Sequence, residues 1–405
     1  MFRFILRHRM SSFKQIADAV DAERDAMRAL LSELVAIPTE NPPATGYRPC
    51  VALLESTLTA LGFPFERLDI PSPGEAPRAA IRAWLGESGP ALCFHGHIDV
   101  VPAASAGQFV PRIDGDTLFG RGSSVMKSGL VAMLFAAKAL RAAGIALRGR
   151  LELLFVPDEE TGGALGTGAL AAAGLLANDT LGMLLPEPTS GVVWNANRGA
   201  ITLEVTVRGR AAHVGLQHQG TNAVERALPL LTRLFDVKRE LEAQRGSILL
   251  VGGRVDAGSN FNVVPAHCRF TIDRRTDPSE DFDAEKQRLL AMLDAARSDG
   301  IDLDVRTIQE GRSSTTARHE ALAHALSDSV AAVTGDAPSF EMCPGLLEIR
   351  FYAERGVPAL AYGPGILSVS HGPQEFVKMS RMAECAKIYA LTAARMLCAD
   401  GTQDA

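Results

Sequence analysis

The feature that most constrains this chain is a short apolar run that leads directly into a histidine and an aspartate. Ala91–Phe94 is typical of a buried strand in an α/β sheet, and the loop that follows contains His97 and Asp99. In extended backbone, residues i and i+2 face the same side, so the imidazole and the carboxylate can converge on one point. Such a pair suits a metal-ligating histidine tuned by a neighbouring carboxylate, although an isolated pair is more often an ordinary strand end.

Further candidate ligands follow later strands. Two predicted strands lead into Glu159-Glu160 and Glu187, and a loop rich in glycine and proline carries His371. Strands that alternate with helices predict a parallel or mixed sheet, which places functional loops at the strand ends. Each of these residues is weak evidence when taken alone. Together they form a set of histidines and carboxylates suited to Zn²⁺, Mn²⁺ or Co²⁺.

The chain is predicted to form two domains, because 405 residues exceed what one compact core usually holds. Ile201–Val207 alternates apolar and polar residues, which is typical of a half-exposed antiparallel strand, and the α/β pattern returns after residue 308. We therefore predict an α/β catalytic domain in two parts, residues 12–198 and 309–405. An α+β domain, residues 199–308, is inserted between them.

Composition excludes several classes of protein. The net charge is −6 and no dense cluster of lysine and arginine occurs, which argues against a nucleic-acid binder. No apolar run approaches the length needed to span a bilayer, so we expect no membrane partner. The six cysteines are scattered and form no C-x-x-C pair, which is typical of reduced thiols in a cytoplasmic protein.

The order and local sequence of these motifs resemble the M20 metallopeptidase family. Its members include acetylornithine deacetylase, succinyl-diaminopimelate desuccinylase, glutamate carboxypeptidase and aminoacylase. The resemblance extends from about residue 30 to residue 397 and rests on His97–Pro102, Pro157–Gly162, Glu187–Thr189 and Ser370–Gly372. It implies a mixed-sheet catalytic domain of the zinc-peptidase type with an inserted dimerisation (lid) domain, and therefore a homodimer or a higher homo-oligomer.

The resemblance also implies a set of metal ligands. His97 and Glu187 would hold one divalent ion, and Glu160 and His371 would hold a second. Asp99 would orient His97.

Three further residues receive catalytic or substrate-binding roles from the resemblance. Glu159 would be the general base, and a carboxylate beside the metal suits that role because the attacking water must lose a proton. His213 resembles the histidine of the inserted domain that reaches the partner subunit's active site and polarises the substrate oxygen. Asn262 resembles a substrate-contacting asparagine, although from the residues alone it could equally cap a turn.

Arg350 resembles the family's arginine for the substrate carboxylate. A guanidinium group suits a carboxylate because it can bind both oxygens at once. From spacing alone, an ion pair with Glu348 or Glu354 is equally consistent. The family usually has a G-T-D-like stretch here, so Leu346 and Leu347 depart from it and allow a more apolar pocket wall.

One departure from the family concerns the metal site itself. The family's G-R-G turn is followed, after two residues, by an aspartate that bridges both metals, and Val125 occupies that position here. Two divalent ions about 3.5–4 Å apart repel each other strongly, and a bridging carboxylate normally offsets this repulsion. The valine is consistent with a single or labile metal, with an inactive homologue, or with a substitution introduced into this sequence. The retained Glu159, Glu160, Glu187 and His371 argue against a decayed site. We therefore expect one divalent metal per chain rather than two, held more weakly than in the family.

These observations predict a metal-dependent hydrolase that cleaves a C–N bond in a small carboxylate-bearing substrate, such as an N-acyl amino acid or a short peptide. The alternative is an aminohydrolase that releases ammonia from an amino-aromatic acid such as 5-nitroanthranilate, which the altered metal site favours. A hypothesis of another class is an inactive M20 homologue that acts as a binding protein.

Overall fold

The computed structural model describes residues 13–72, 77–176, 179–243 and 247–398. Contacts divide these residues into two compact units. The smaller unit comprises Ala196–Ser314 and Cys343–Arg350, and the larger unit comprises the rest. The predicted inserted domain, residues 199–308, is shorter than this unit because strand pairing continues to Gly311. Residues 343–350, which the sequence prediction assigned to the catalytic domain, belong to the smaller unit, and the predicted limits 12 and 405 lie outside the described residues.

The strands form three sheets. In chain order they are β1 Phe65–Ile70, β2 Arg78–Leu85, β3 Ala91–His97, β4 Arg112–Asp114, β5 Thr117–Phe119, β6 Arg150–Val156, β7 Thr180–Leu185, β8 Val193–Asn197, β9 Gly199–Arg208, β10 Ile248–Ala257, β11 His267–Thr276, β12 Leu303–Gly311, β13 Ser314–Thr315, β14 Phe340–Cys343, β15 Ala359–Ala361 and β16 Phe376–Lys378. The largest sheet has the order β1-β2-β6-β3-β7-β15-β8-β13, with β14 beside β8. It contains parallel and antiparallel pairs, which confirms the predicted mixed sheet.

The chain also forms α-helices. Residues 13–21 are helical, and the later helices are α1 Arg24–Ala36, α2 Tyr47–Leu61, α3 Ser128–Ala142, α4 Thr167–Ala172, α5 Ala223–Glu242, α6 Phe282–Ser298, α7 Ala321–Thr334, α8 Ile349–Ala353 and α9 Met379–Leu397. The stretch Ser123–Ala142 is long and apolar enough to cross a membrane, contrary to the expectation from the sequence. Most of this stretch is buried inside the protein, as an internal segment that is apolar on all sides should be.

Three parallel strands bring the site together. Strand β3 pairs in parallel with β6 on one side and β7 on the other, and nearly all their residues are buried. Parallel strands covered on both faces form continuous apolar runs, which is why the sequence predicted them. Their carboxyl ends meet at one edge of the sheet, so the loops after β3, β6 and β7 start close together.

The smaller unit is a four-stranded antiparallel sheet of order β10-β11-β9-β12 with α5 and α6 packed on it. Strand β11 alternates half-buried and buried residues, so one face lies against the helices. Asn222 and Asp281 begin the two helices, and each side chain accepts hydrogen bonds from backbone N–H groups of the first turn.

Candidate metal centre

The first group of candidate ligands lies at the ends of β3, β6 and β7. His97, Glu159 and Glu187 each offer a donor atom, and the three atoms lie within 4.8 Å of one another. His97 Nε2 lies 3.6 Å from a Glu187 carboxylate oxygen and 3.9 Å from one of Glu159. Two ligand atoms of one tetrahedral zinc ion are ~3.3 Å apart, so these three groups are close to ligating separation.

The imidazole of His97 is oriented for a ligand role. It is fully buried, and its Nδ1 lies 3.0 Å from the carbonyl oxygen of Asp99. A proton on Nδ1 donated to that carbonyl leaves a lone pair on Nε2. Within the described part of the chain, Nε2 has no hydrogen-bond partner. In the neutral imidazole this lone pair faces two carboxylates, so either a proton or a metal cation at Nε2 would supply the positive charge that the two carboxylates favour.

The neighbouring carboxylates also change the protonation of His97. Burial alone disfavours the imidazolium, but the carboxylates of Asp99, Glu187 and Glu159 outweigh that effect, and the pKa of His97 is well above its usual range. The carboxylates of Glu159 and Glu187 therefore favour a positive charge at the position between them and His97 Nε2.

Asp99 anchors the adjacent loop. Although burial raises its pKa, the contacts with His97, Asn41 and the backbone N–H of Glu160 outweigh it and lower the pKa of Asp99. Asn41 Nδ2 donates to Asp99 at 2.9 Å, and the N–H groups of Glu159 and Glu160 donate to it at 3.2 and 3.1 Å. Asp99 therefore supports both His97 and the turn that carries the two glutamates.

Asn41 was not identified from the sequence. Its Nδ2 lies near Asp158 Oδ1 and Thr161 Oγ1 as well as Asp99, at distances of 3.3, 3.0 and 2.9 Å. The only local signal is an asparagine before two prolines, which is typical of an ordinary loop. Asp158 has a φ of 77°, a left-handed conformation that few non-glycine residues adopt, and it directly precedes Glu159.

Glu160 and His371 form a second pair. His371 Nε2 lies 3.3 Å from Glu160 Oε1, and this contact raises the pKa of His371. Of the described polar atoms, Glu160 Oε1 is among those that are buried without an aligned hydrogen bond. His371 is half-exposed and has a φ of 64°. The pair supplies one nitrogen and one carboxylate, which matches the ligand types that the resemblance implies.

Val125 lies in a segment that contacts the backbone of His97 on one side and Ser370, which precedes His371, on the other. The preceding residue, Ser124, lies 3.3 Å by its Oγ from Ser370 Oγ, next to His371. The following residue, Met126, accepts a hydrogen bond at its sulfur from the backbone N–H of His97, at 3.4 Å. The family resemblance implies a ligand shared by two ions at this position, but the valine side chain has no donor atom. The residues present therefore fit a divalent cation at His97 better than a bridged pair of cations.

Two predicted residues of the smaller unit lie on adjoining segments. The N–H of Val214 donates to the carbonyl of Asn262 at 2.9 Å, and His213 pairs with Val263 in an isolated β-bridge. His213 is exposed, and its Nδ1 accepts a hydrogen bond from the N–H of Gly215 at 3.1 Å. In a neutral imidazole this places the proton on Nε2, so the exposed ring is a hydrogen-bond donor.

Arg350, also in the smaller unit, is buried. It is 3% exposed, and its Nη1 donates to the carbonyl of Leu347 at 2.7 Å. Leu347 itself is buried and Leu346 packs beside Gly311. The guanidinium group is therefore buried within the smaller unit, where the Leu347 carbonyl accepts its hydrogen bond and the Leu347 side chain is also buried.

Solved structures of three peptidases resemble this chain over most of its length. The dipeptidase Dug1p from Saccharomyces cerevisiae superposes with a TM-score of 0.78 at 16% identity, over 95% of this chain and 98% of that chain. The M20 family metallo-carboxypeptidase Sso-CP2 from Sulfolobus solfataricus superposes with a TM-score of 0.76 at 17% identity, over 92% and 99%. A dinuclear metal-binding M20 peptidase from Bacillus subtilis, YXEP, superposes with a TM-score of 0.65 at 16% identity, over 93% and 99%.

These structures share the fold of this chain at low sequence identity. The sequence profile described as Peptidase family M20/M25/M40 matches residues 93–395, which include every candidate ligand described above. The chain therefore belongs to Peptidase family M20/M25/M40.

Proposed function

We propose that the protein is a metal-dependent hydrolase that cleaves a C–N bond in a small substrate bearing a carboxylate. N-acyl amino acids and short peptides are the substrate classes that we favour. The observation that carries the proposal is the buried His97 Nε2, which faces the carboxylates of Glu159 and Glu187 without a hydrogen-bond partner among the described residues. Membership of a family of metallopeptidases supports the hydrolytic chemistry.

One divalent ion of the class Zn²⁺, Mn²⁺ or Co²⁺ would bind each chain, more weakly than in the two-metal sites of the family. His97 and Glu187 would hold it, because they offer the imidazole and carboxylate donors that these ions prefer. Glu160 and His371 would form a weaker second position, because Val125 cannot offset the repulsion between two ions. When bound, the ion supplies a Lewis acid that polarises the scissile carbonyl and acidifies water.

Glu159 would move the proton in this reaction. Its side chain is 14% exposed, so water reaches it while the surrounding turn holds it near His97. The carboxylate accepts a proton from the water that attacks the carbonyl carbon, and the oxygen of that water forms the new C–O bond. The same carboxyl group then gives the proton to the departing nitrogen as the C–N bond breaks, so the products are a carboxylic acid and an amine.

His213, Asn262 and Arg350 would contact the substrate according to the family resemblance. The exposed His213 supports this role, because its Nε2–H can donate to a carbonyl oxygen. Arg350 is less accessible, since it is 3% exposed, and it would need to turn from the Leu347 carbonyl to reach a carboxylate.

Activity is tested with Mn²⁺- and Zn²⁺-supplemented protein on a panel of N-acyl amino acids and dipeptides. Amine and ammonia are measured separately, because ammonia release would favour an aminohydrolase. Glu159→Gln should lower kcat by about 10²–10⁴-fold while the protein still binds metal. Glu354→Gln, an exposed glutamate outside the site, serves as the matched control. Absence of turnover and of metal binding in the wild type would support the binding-protein hypothesis instead.

Metal content is tested by elemental mass spectrometry before and after dialysis and reloading. We expect one ion or fewer per wild-type chain, with an increase toward two in Val125→Asp. Two tightly held ions in the wild type would contradict the single-metal part of the proposal.

A further inference from the structure

Glu375 is a buried carboxylate four residues after His371, and neither the motifs nor the proposed chemistry gives it a role. It is 1% exposed. Its Oε1 accepts hydrogen bonds from three backbone N–H groups, those of Gly122, Ser124 and Val125, at 3.1, 3.0 and 3.0 Å. Three N–H groups that converge on one oxygen form an anion-binding concavity of backbone, and here a side chain of the same protein occupies it.

The other oxygen of Glu375 connects this concavity to His371. Oε2 accepts from Arg121 Nη1 at 2.7 Å, and Arg121 Nη2 donates to the carbonyl of His371 at 3.0 Å. The N–H of Gly120 donates to the carbonyl of Glu375, also at 3.0 Å. Arg121 is 2% exposed, so this ion pair lies in the interior, where charge-assisted hydrogen bonds define geometry closely.

The two segments that Glu375 connects both need this restraint. His371 has a φ of 64°, which costs free energy for a residue with a side chain and persists only where the surroundings impose it. Val125 is the residue where the family has its shared metal ligand, and in this chain no metal ligand at that position can shape the backbone. Its own N–H is one of the three that Glu375 binds.

We propose that Glu375 is a positioning residue that, directly and through Arg121, holds the backbone at position 125 and the orientation of His371 independently of any metal. The inference rests on the proposed metal-dependent function. It implies that the loop at position 125 already has the shape needed for a shared ligand, so that one substitution there suffices to complete a second metal position.

The test compares Mn²⁺ binding to three variants of the full-length chain by equilibrium dialysis and elemental mass spectrometry. Val125→Asp should bind a second ion. Val125→Asp with Glu375→Gln should bind that second ion about 10–100-fold more weakly, the usual effect of removing an outer partner of a metal ligand. Val125→Asp with Glu152→Gln should bind it as tightly as Val125→Asp alone.

Glu152 is the matched control because it is also a buried carboxylate paired with an arginine. It is 3% exposed and lies 2.6 Å from Arg150 Nη2 near the start of β6, away from the loop that carries Glu159. Thermal unfolding followed with and without Mn²⁺ gives a second measure of binding, because an ion that binds only the folded protein raises the melting temperature.

The inference would be overturned if Val125→Asp gained no second ion, or if Glu375→Gln left the second-ion affinity unchanged. Should Glu375→Gln prevent folding, Arg121→Lys replaces it, since lysine keeps the charge for Glu375 but lacks the second nitrogen for the His371 carbonyl, and the same weakening is expected. A wild type without metal and without turnover would instead refute the proposed function, whereas a metal-bound, active wild type with no effect of Glu375→Gln refutes the positioning role alone.

Discussion

Asp99 and Asn41 show how single residues support the candidate metal centre without being ligands themselves. Asn41 donates to Asp99, which also accepts N–H groups from the Glu159-Glu160 turn. A carboxylate that is already the acceptor of several fixed donors has little freedom to rotate. The histidine beside it is therefore held in one orientation.

We predict that Asp99→Asn weakens metal binding by about 10–100-fold, because the amide has one acceptor oxygen in place of two and places an NH₂ group against backbone N–H donors. Equilibrium dialysis with Zn²⁺ measures the change. Asp114→Asn, at the exposed end of β4, is the control. Equal zinc affinity in Asp99→Asn and the wild type would contradict the prediction.

Lys127 makes stability depend on pH. The side chain is fully buried, its Nζ donates to the carbonyls of Leu34 and Ile37, both at 2.9 Å, and burial lowers the pKa of Lys127 to about 8. A lysine in the unfolded chain titrates near 10.4, so between these values the folded state binds fewer protons than the unfolded state. The contribution of this group to stability is therefore smallest below pH 8 and rises until the unfolded pKa is passed.

We predict that the unfolding free energy of the wild type, minus that of Lys127→Met, rises between pH 8 and pH 10 by on the order of 1 kcal/mol per pH unit. Urea denaturation at several pH values measures the difference. A difference that stays constant or falls across this range would show that the ammonium group is not disfavoured by burial.

The candidate ligands could be predicted from the sequence, whereas the residues that support them could not. His97, Glu160 and Glu187 follow apolar strands, and their order carries a family resemblance. Asn41 and Glu375 act through the folded backbone, and their contacts span 58 residues to Asp99 and about 250 residues to the segment at Val125. No local pattern predicts contacts of that separation.

At the scale of elements, the sheet of the larger unit was predictable because its central strands are buried on both faces. The start of α3 was harder to predict from the sequence. Helix α3 begins at Ser128 after a π-helical turn, Ser123–Lys127, in which Val125 and Met126 have non-helical angles although both are apolar like the helix that follows. That turn depends on Glu375, which is distant in sequence and therefore invisible to periodicity.

Helix α3 approaches the end of β7 closely at Gly129. A Cβ atom added there would lie 2.5 Å from the carbonyl oxygen of Pro186 and 2.6 Å from its Cβ, and Glu187 is the next residue. The helix can lie this close to the ligand-bearing loop only because position 129 has no side chain.

We predict that Gly129→Ala destabilises the protein by about 1–3 kcal/mol and also weakens metal binding, since the clash shifts the backbone that carries Glu187. Thermal unfolding and Zn²⁺ dialysis measure the two effects. Gly107→Ala is the control, because an added Cβ there would lie 3.7 Å from Ser105 Oγ, an ordinary van der Waals contact. Loss of stability without loss of metal affinity would show that the loop absorbs the shift.

At the scale of the whole molecule, the smaller unit carries exposed apolar side chains on one helix and one edge strand. Leu228 and Phe235 of α5 are 53% and 41% exposed, and Ile248 and Leu250 of β10 are 42% and 51% exposed. Strand β10 is at the edge of its sheet. Exposed apolar groups beside an unpaired edge strand are typical of surfaces that are covered in an assembly.

We predict that the wild type is a homodimer and that Leu228→Asp combined with Phe235→Asp shifts it to the 43.1 kDa monomer. Size-exclusion chromatography with light scattering measures the mass. Val110→Asp, at a 70% exposed position in the larger unit, should leave the mass unchanged. A monomeric wild type would contradict the prediction.

The wide separation of the candidate ligands along the chain has a consequence for synthesis in the cell. They come from segments near residues 97, 160, 187 and 371. While the chain is being made on the ribosome, the partner of Glu160 is absent until most of the protein has been translated. The pair of Glu160 and His371 can therefore form only after most of the chain has been made, whereas His97 and Glu187 are present much earlier in synthesis.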